Sequence, residues 1–171
     1  MSTPRVASPA KKTGNIIRDS SLGLVPETLD PYLDLNRAIW LDGPLSAAEL
    51  EIVRLRNARK VNCVYCKAAR YDIASDAGLH EDTIEKIDDD YASSSLSARE
   101  KLLLAYTDQY LNDPTGLDKP LQSALVDEFS AEEIVHLSLA LMLFNCFSRG
   151  AVAFGGMPED DLPIMPMSLP A

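Results

Sequence analysis

Apolar residues recur along most of the chain at the three- and four-residue spacing of amphipathic helices, and no stretch shows the strict alternation typical of strands. This pattern predicts helices over residues 29–40, 47–60, 63–77, 81–88, 98–112, 118–128 and 131–154. The fold class that follows is all-α, a helical bundle of about six to seven helices.

Three of the predicted helices begin with the same signature, a serine followed three residues later by a glutamate, at Ser46, Ser97 and Ser130. In such a capping box the serine side chain and the glutamate side chain each accept a hydrogen bond from the other residue's backbone N–H. Gly78 directly follows the predicted helix over 63–77, in a position where a left-handed helix cap is expected. These signals therefore predict both helix starts and a helix end.

The domain organisation follows from length and composition. The chain has 171 residues, of which 46% are hydrophobic, and this favours one domain with a substantial core. Proline, glycine, serine and charged residues dominate both ends. We expect a flexible N-terminal arm over residues 1–15, a helical domain over 16–155 and an extended proline-rich tail over 156–171.

The charge balance excludes several classes of partner. A net charge of -10 disfavours contact with nucleic acid or with an anionic membrane surface. The first residues have no apolar run typical of a secretory signal, and the apolar segment 137–147 is too short to span a bilayer. We therefore expect a cytoplasmic protein with no nucleic-acid or membrane partner.

The candidate chemistry lies in a cysteine pair, Cys63 and Cys66, among three cysteines in all. A helix over 63–77 places both thiols and Arg70 on one face that is otherwise apolar. Cysteines three apart in a first helical turn can form a bridge, and the helix N-terminus stabilises a thiolate. A thiolate is the form that attacks peroxides and disulfides, so the pair indicates redox chemistry.

Two charged residues extend this candidate site. Arg70, one turn beyond Cys66, is predicted to favour the thiolate by its fixed positive charge. Glu51 projects away from the other charged residues of its helix, toward the predicted core, and a carboxylate there is costly unless it has a use. Glu51 is therefore a candidate proton acceptor for a cysteine or a bound peroxide, the alternative being a solvated or ion-paired helix residue.

Other interpretations of these residues stay open. The pair could be incidental, or it could bind zinc with two further ligands drawn from Cys146, His80 and His136, none of which has finger-like spacing. We expect Cys146 to be an inert buried thiol, His136 a hydrogen-bonded core histidine and His80 a surface residue. No metal and no cofactor are predicted.

Glu51, eleven intervening residues, the Cys63-Val64-Tyr65-Cys66 motif and the later Gly78-Leu79 together resemble the carboxymuconolactone decarboxylase-like superfamily, most closely its alkylhydroperoxidase D-like branch. The similarity covers residues 45–88 and extends to 132–155. It implies an all-helical protomer that forms homo-oligomers, as dimers, trimers or hexamers, with active sites near subunit contacts.

The resemblance also implies roles for the residues that match. Cys66 corresponds to the peroxidatic thiol, which becomes a sulfenic acid, and Cys63 to the thiol that resolves it as a disulfide. An external dithiol or thiol would reduce that disulfide, and Glu51 matches the acid of a proton relay. Arg70 replaces the histidine of the redox-active members, and arginine cannot relay a proton at neutral pH.

Three functions are consistent with these features. The first is a thiol-dependent peroxidase or disulfide reductase that acts on a hydroperoxide through the cysteine pair, without a cofactor. The second is a cofactor-free decarboxylase or related small-molecule enzyme in which Arg70 binds a substrate carboxylate, although the decarboxylase branch lacks the cysteine pair. The third is a non-enzymatic helical oligomer or redox sensor.

Overall fold

Eight α-helices make up most of the regular structure of residues 3–169, the part of the chain that the computed structural model describes. The helices are α1 (Pro26–Leu41), α2 (Ala47–Val61), α3 (Val64–Ala68), α4 (Asp72–Asp76), α5 (Glu81–Ile84), α6 (Ala98–Asn112), α7 (Lys119–Glu128) and α8 (Ala131–Phe154). The regular structure also includes two three-residue strands, β1 (Ala69–Tyr71) and β2 (Met165–Met167). Two short 3-10 helices lie at Ser21–Leu24 and Tyr91–Ser93. The all-α class is confirmed.

The three predicted capping boxes are all present, at the starts of α2, α6 and α8. In each one the serine Oγ accepts a hydrogen bond from the glutamate amide, and the glutamate carboxylate accepts one from the serine amide. Helices α6 and α8 begin and end at the predicted residues. Local capping chemistry is strong enough here to define the helix boundaries.

Arg99, near the start of α6, connects two of these boxes. Its guanidinium pairs with Glu49 of α2, at 2.6 Å, and with Glu133 of α8. Burial alone would raise the pKa of Glu49, but hydrogen bonds from Ser46 and Arg99 outweigh it and lower that pKa. The Ser130 amide and then Arg99 lower the pKa of Glu133. Arg99 thus joins the N-terminal ends of three helices.

Helix α2 lies at the centre of the molecule. Every residue from Leu50 to Ala58 is buried, because α6 and α8 pack on α2 from different sides. Burial on nearly all faces means that the charged residues of α2 need partners within the protein. Arg56, for example, is 2% exposed and pairs with Asp108 of α6, at 2.6 Å.

The segment 63–77 is not one helix, and the prediction that it is was wrong. Helix α3 ends at Ala68, β1 follows, and α4 begins at Asp72. The predicted count of six to seven helices is exceeded for this reason. Gly78, with φ of +91°, lies two residues after α4 and is the predicted left-handed residue.

Both ends of the described chain contact the helical body. The Arg5 amide donates to the Phe154 carbonyl, at 2.7 Å, and β2 pairs with β1 in parallel, with Met165 opposite Ala69. Lys67 also forms an ion pair with Asp161 of the tail, at 2.6 Å. The segment boundaries drawn from the sequence remain a prediction, and residues 1, 2, 170 and 171 lie outside the described residues.

Helix α8 has the length and composition that a membrane-spanning helix would need. Core helices of soluble folds meet the same criterion, and α8 packs on α1 and α2 through His136, Leu137, Ala140, Leu141, Leu143, Phe144 and Ser148. The interpretation of this apolar segment as a core helix therefore agrees with its packing.

Replacing Arg99 should destabilise the protein in a pH-dependent way. The folded pKa values of Glu49 and Glu133 are lowered, so their stabilising effect is full above the ordinary glutamate pKa of 4.5 and is lost as the pH falls below it. We expect Arg99→Gln to lower the melting temperature at pH 7 and to lower it much less at pH 3.

Thermal unfolding followed by circular dichroism would measure this difference. The matched control is Arg37→Gln, which makes the same charge change at an exposed position of α1 with no ion pair among the described residues. An equal loss at both pH values would show that Arg99 acts through packing alone.

Candidate active site

The two cysteines lie at a sharp corner between α2 and α3. Asn62 ends α2 in the left-handed conformation, with φ of 55°, which asparagine tolerates better than most residues. The chain then turns so that Cys63 is the N-terminal cap of α3 and Cys66 lies in its first turn. A disulfide joins Cys63 and Cys66, whose Cα atoms are 5.2 Å apart.

The two sulfur positions differ in accessibility. Cys63 is completely buried, whereas Cys66 is partly exposed and lines a cavity of about 610 Å³. Much of the cavity wall is apolar or aromatic, with Tyr71, Phe144, Phe147, Phe154, Met165 and Met167 among the lining residues. A molecule in the cavity can therefore reach Cys66, and Cys63 lies behind it.

Glu51 is buried as predicted, at 1% exposure, and it is ion-paired, which was the alternative interpretation, with a partner that the sequence analysis did not name. Arg54, one helical turn further along α2, donates to both carboxylate oxygens, at 2.6 and 2.7 Å. Burial alone would lower the pKa of Arg54, but the charge and hydrogen bonds of Glu51 outweigh it and raise that pKa. The Arg54 guanidinium therefore keeps its charge inside the protein.

This ion pair also explains why the cysteine helix ends at Ala68. Arg54 donates to the carbonyls of Cys66, at 2.8 Å, and of Ala69, at 2.7 Å, while the Tyr71 amide donates to Glu51 at 3.4 Å. A continuous helix would use these same backbone groups for its own i to i−4 hydrogen bonds. The side chains of α2 therefore replace the helical hydrogen bonds of the cysteine segment.

Arg70 is not on the cavity wall, which corrects the prediction that it shares a face with the cysteines. Ala69 and Tyr71 of β1 line the cavity, and side chains of adjacent strand residues point to opposite faces. The Arg70 guanidinium instead pairs with Glu81, at 2.8 Å, and donates to the Lys67 carbonyl. The cations that line the cavity are Arg54 and Lys12.

Arg54 is a candidate site residue that the sequence analysis missed. The signal was present, because Arg54 follows Glu51 by three residues and such pairs share a helix face. A buried glutamate three residues before an arginine is therefore better interpreted as half of an ion pair than as an isolated acid.

The two histidines and the third cysteine, the other candidate ligands, form no metal-binding arrangement among residues 3–169. His136 is buried, its Nε2 lies 3.0 Å from the Ile39 carbonyl and its Nδ1 accepts from the Leu45 amide, so it is a hydrogen-bonded core residue. His80 is exposed at the start of α5. Cys146 is exposed on α8, so the expectation of a buried thiol was wrong. Within residues 3–169, no group of three His, Cys, Asp or Glu side chains could hold a metal ion.

No protein-family model matches the chain. Two curated proteins from two strains of Mycobacterium tuberculosis, both described as uncharacterized, are 34% identical to it over 143 residues. The match covers 84% of this chain and 49% of each relative, so the chain spans about half the length of the curated relatives it matches.

Solved structures show the fold. A protein of unknown function from Agrobacterium tumefaciens, proposed to be the antioxidant defence protein AhpD, is similar with a TM-score of 0.67 and 24% identity, over 88% of this chain and 100% of that one. A peroxidase-related protein from Ralstonia eutropha with an alkylhydroperoxidase AhpD core has a TM-score of 0.69 and 19% identity, over 82% and 76%. The chain has the alkylhydroperoxidase D-like fold.

This is the fold that the resemblance implies, and its helical architecture is confirmed. The alkylhydroperoxidase D-like fold also occurs in a debrominase solved in complex with 2,3,4-tribromopyrrole, with a TM-score of 0.66 and 16% identity, over 78% of this chain and 72% of that one. Fold alone therefore leaves more than one chemistry open for this cavity.

Removing the charge of Glu51 should strongly destabilise the protein. Glu51→Gln leaves the Arg54 guanidinium buried without a counter-charge, and breaking a buried pair in this way costs about 3–5 kcal/mol. Urea denaturation would measure the loss in the free energy of unfolding. The double variant Glu51→Gln, Arg54→Met removes the buried charge, so we expect it to be more stable than Glu51→Gln alone. A double variant that is no more stable would contradict the ion-pair interpretation.

The predicted effect of Arg70 on Cys66 can be tested directly. If its charge favours the thiolate, Arg70→Ala should raise the pH midpoint of alkylation of reduced Cys66 by iodoacetamide, and Arg70→Lys should retain part of the effect. A Cys146→Ser background removes the exposed third thiol from the measurement. An unchanged midpoint would contradict an electrostatic effect of Arg70 on Cys66 and would be consistent with a structural role through Glu81 and the Lys67 carbonyl.

Proposed function

We propose that the protein is a thiol-dependent peroxidase or disulfide reductase that uses Cys66 and Cys63, needs no bound cofactor and acts in the cytoplasm as a homo-oligomer. One observation carries this proposal: Cys66 lines the cavity and is bonded to a fully buried Cys63. An accessible sulfur backed by a buried one suits an attacking thiol and a resolving thiol.

In the reduced protein, the Cys66 thiolate would attack one oxygen of a hydroperoxide. The O–O bond breaks, the departing alkoxide takes up a proton to leave as an alcohol, and Cys66 becomes a sulfenic acid. The Cys63 thiol then attacks the Cys66 sulfur, water leaves, and the disulfide forms. An external dithiol restores both thiols by two exchange steps and becomes a disulfide itself.

The charged residues have supporting roles in this proposal. Glu51 is proposed to accept the proton of a cysteine thiol or of the bound hydroperoxide. Arg54 links Glu51 to the backbone of Cys66. The same bonds hold the first turn of α3 in place, so both residues also position the reactive thiol. The electrostatic role predicted for Arg70 is retained only as a hypothesis, because its guanidinium is engaged by Glu81.

A small-molecule enzyme that does not use the disulfide is the second candidate. The likeness to a debrominase solved with a brominated pyrrole and the partly aromatic cavity wall both favour this alternative. The version in which Arg70 binds a substrate carboxylate loses its basis, since Arg70 does not line the cavity. Apolar side chains exposed on α8, at Val135, Leu139 and Met142, support self-association in either case.

Mass spectrometry after hydroperoxide treatment tests the redox proposal. One equivalent of cumene hydroperoxide added to reduced protein should regenerate the Cys63–Cys66 disulfide. Cys63→Ser should instead accumulate a dimedone-reactive sulfenic acid at Cys66, and Cys66→Ser should consume no peroxide. Cys146→Ser is the matched control, because it removes an exposed cysteine that is not part of the pair and should leave the rate unchanged.

A peroxide reaction that persists in the Cys63→Ser, Cys66→Ser double variant would overturn this assignment. Turnover of a small molecule by the same double variant would support the second candidate. Reduced wild-type protein that fails to form the disulfide with any hydroperoxide would also overturn the peroxidase proposal.

A further inference from the structure

Asn36 of α1 lines the cavity, and the nitrogen of its amide is buried without a hydrogen-bond partner among the described residues. The residue as a whole is 2% exposed. Buried polar groups are almost always hydrogen-bonded, and an unpaired one is costly. A ligand that offers an acceptor to Asn36 would remove that cost.

The cavity has little net charge with which to attract an anion. Arg54 is neutralised by Glu51, and the described contacts use four of its five N–H groups. The other ionised side chains on the wall are one of each sign, Lys12 and Asp19. Lys12 donates to the Asp19 carbonyl, and the Asp19 carboxylate accepts from the Thr13 amide.

The shape and chemistry of the remaining wall fit an apolar molecule. Phenylalanine, tyrosine and methionine side chains surround the space beside Cys66, and a volume of about 610 Å³ accommodates a substituted aromatic ring. An apolar wall with few directed polar groups is typical of sites where those groups fix the orientation of the ligand.

We propose that Asn36 is the specificity-determining hydrogen-bond donor of this cavity and that the ligand is an uncharged, largely apolar molecule with an acceptor oxygen. A carboxylate ligand is disfavoured, because Glu51 neutralises Arg54 and the charge of Lys12 is balanced on the cavity wall by that of Asp19. This inference rests on the proposed function in taking the cavity beside Cys66 as the substrate site. It adds the charge class of the substrate and the residue that orients it.

Trp40 provides a local measure of occupancy. It is the one tryptophan of the sequence, and its ring lies 4.8 Å from that of Tyr71 and 5.6 Å from that of Phe144. Both neighbours line the cavity, so the indole N–H signal of Trp40 in a proton–nitrogen correlation spectrum should shift when the cavity fills.

The test uses three probes of nearly the same shape. Acetophenone has a carbonyl acceptor, α-methylstyrene replaces that oxygen by a methylene group, and benzoate carries a charged carboxylate. Each would be titrated into the oxidised protein while the Trp40 signal is followed. In the wild type we expect acetophenone to bind more than tenfold more tightly than benzoate.

The variant Asn36→Leu removes the amide and keeps a side chain of similar size. The Kd ratio of acetophenone to α-methylstyrene should rise about tenfold in this variant, as expected for one lost hydrogen bond to a neutral group. Asn112→Leu, at an exposed position of α6, is the control and should leave the ratio unchanged. A ligand-free Asn36→Leu protein that melts no lower than the wild type would confirm that the amide has no structural partner.

An unchanged ratio in Asn36→Leu would overturn the inference, as would tighter binding of benzoate than of acetophenone or no shift with either neutral probe. The binding assay includes no redox step, so its result is independent of whether the protein is a peroxidase. Binding that behaves as expected in a protein without peroxidase activity would overturn only the proposed function. Peroxidase activity with an unchanged ratio would overturn only the role of Asn36.

Discussion

The buried ion pair of Glu51 and Arg54 is the constraint on which the site depends. Two charges inside a helical core are tolerated only when each is neutralised and hydrogen-bonded. Arg54 meets this requirement by drawing the carbonyls of Cys66 and Ala69 toward α2. The break in the cysteine helix depends on that set of contacts, together with the pairing of β1 with β2.

The corner between α2 and α3 gives the two cysteines different accessibility. Asn62 turns the chain so sharply that Cys63 stays within the packed interior and Cys66 reaches the cavity. Neither residue needs a special side-chain environment for this difference to arise. The backbone geometry alone gives one thiol access to a bound molecule and reserves the other for its neighbour.

Sequence reasoning succeeded where the determining interactions are local. The three capping boxes and the helix start at Cys63 depend on residues within one turn of each other, so they could be predicted. The break at β1 arises from a tertiary contact with Arg54 and from pairing with β2, far along the chain. Periodicity therefore extended the helix through Ala69, and this error placed Arg70 on the wrong face.

The two ends of the described chain supply part of the cavity wall, through residues such as Val6, Ile17, Met165 and Met167. The cavity is thus complete only in molecules whose terminal segments are docked. By linkage, a ligand that touches those segments must favour the docked population, and any undocked fraction weakens its apparent affinity in proportion. Ligand binding in the cavity and docking of the chain ends are therefore thermodynamically coupled in this protein.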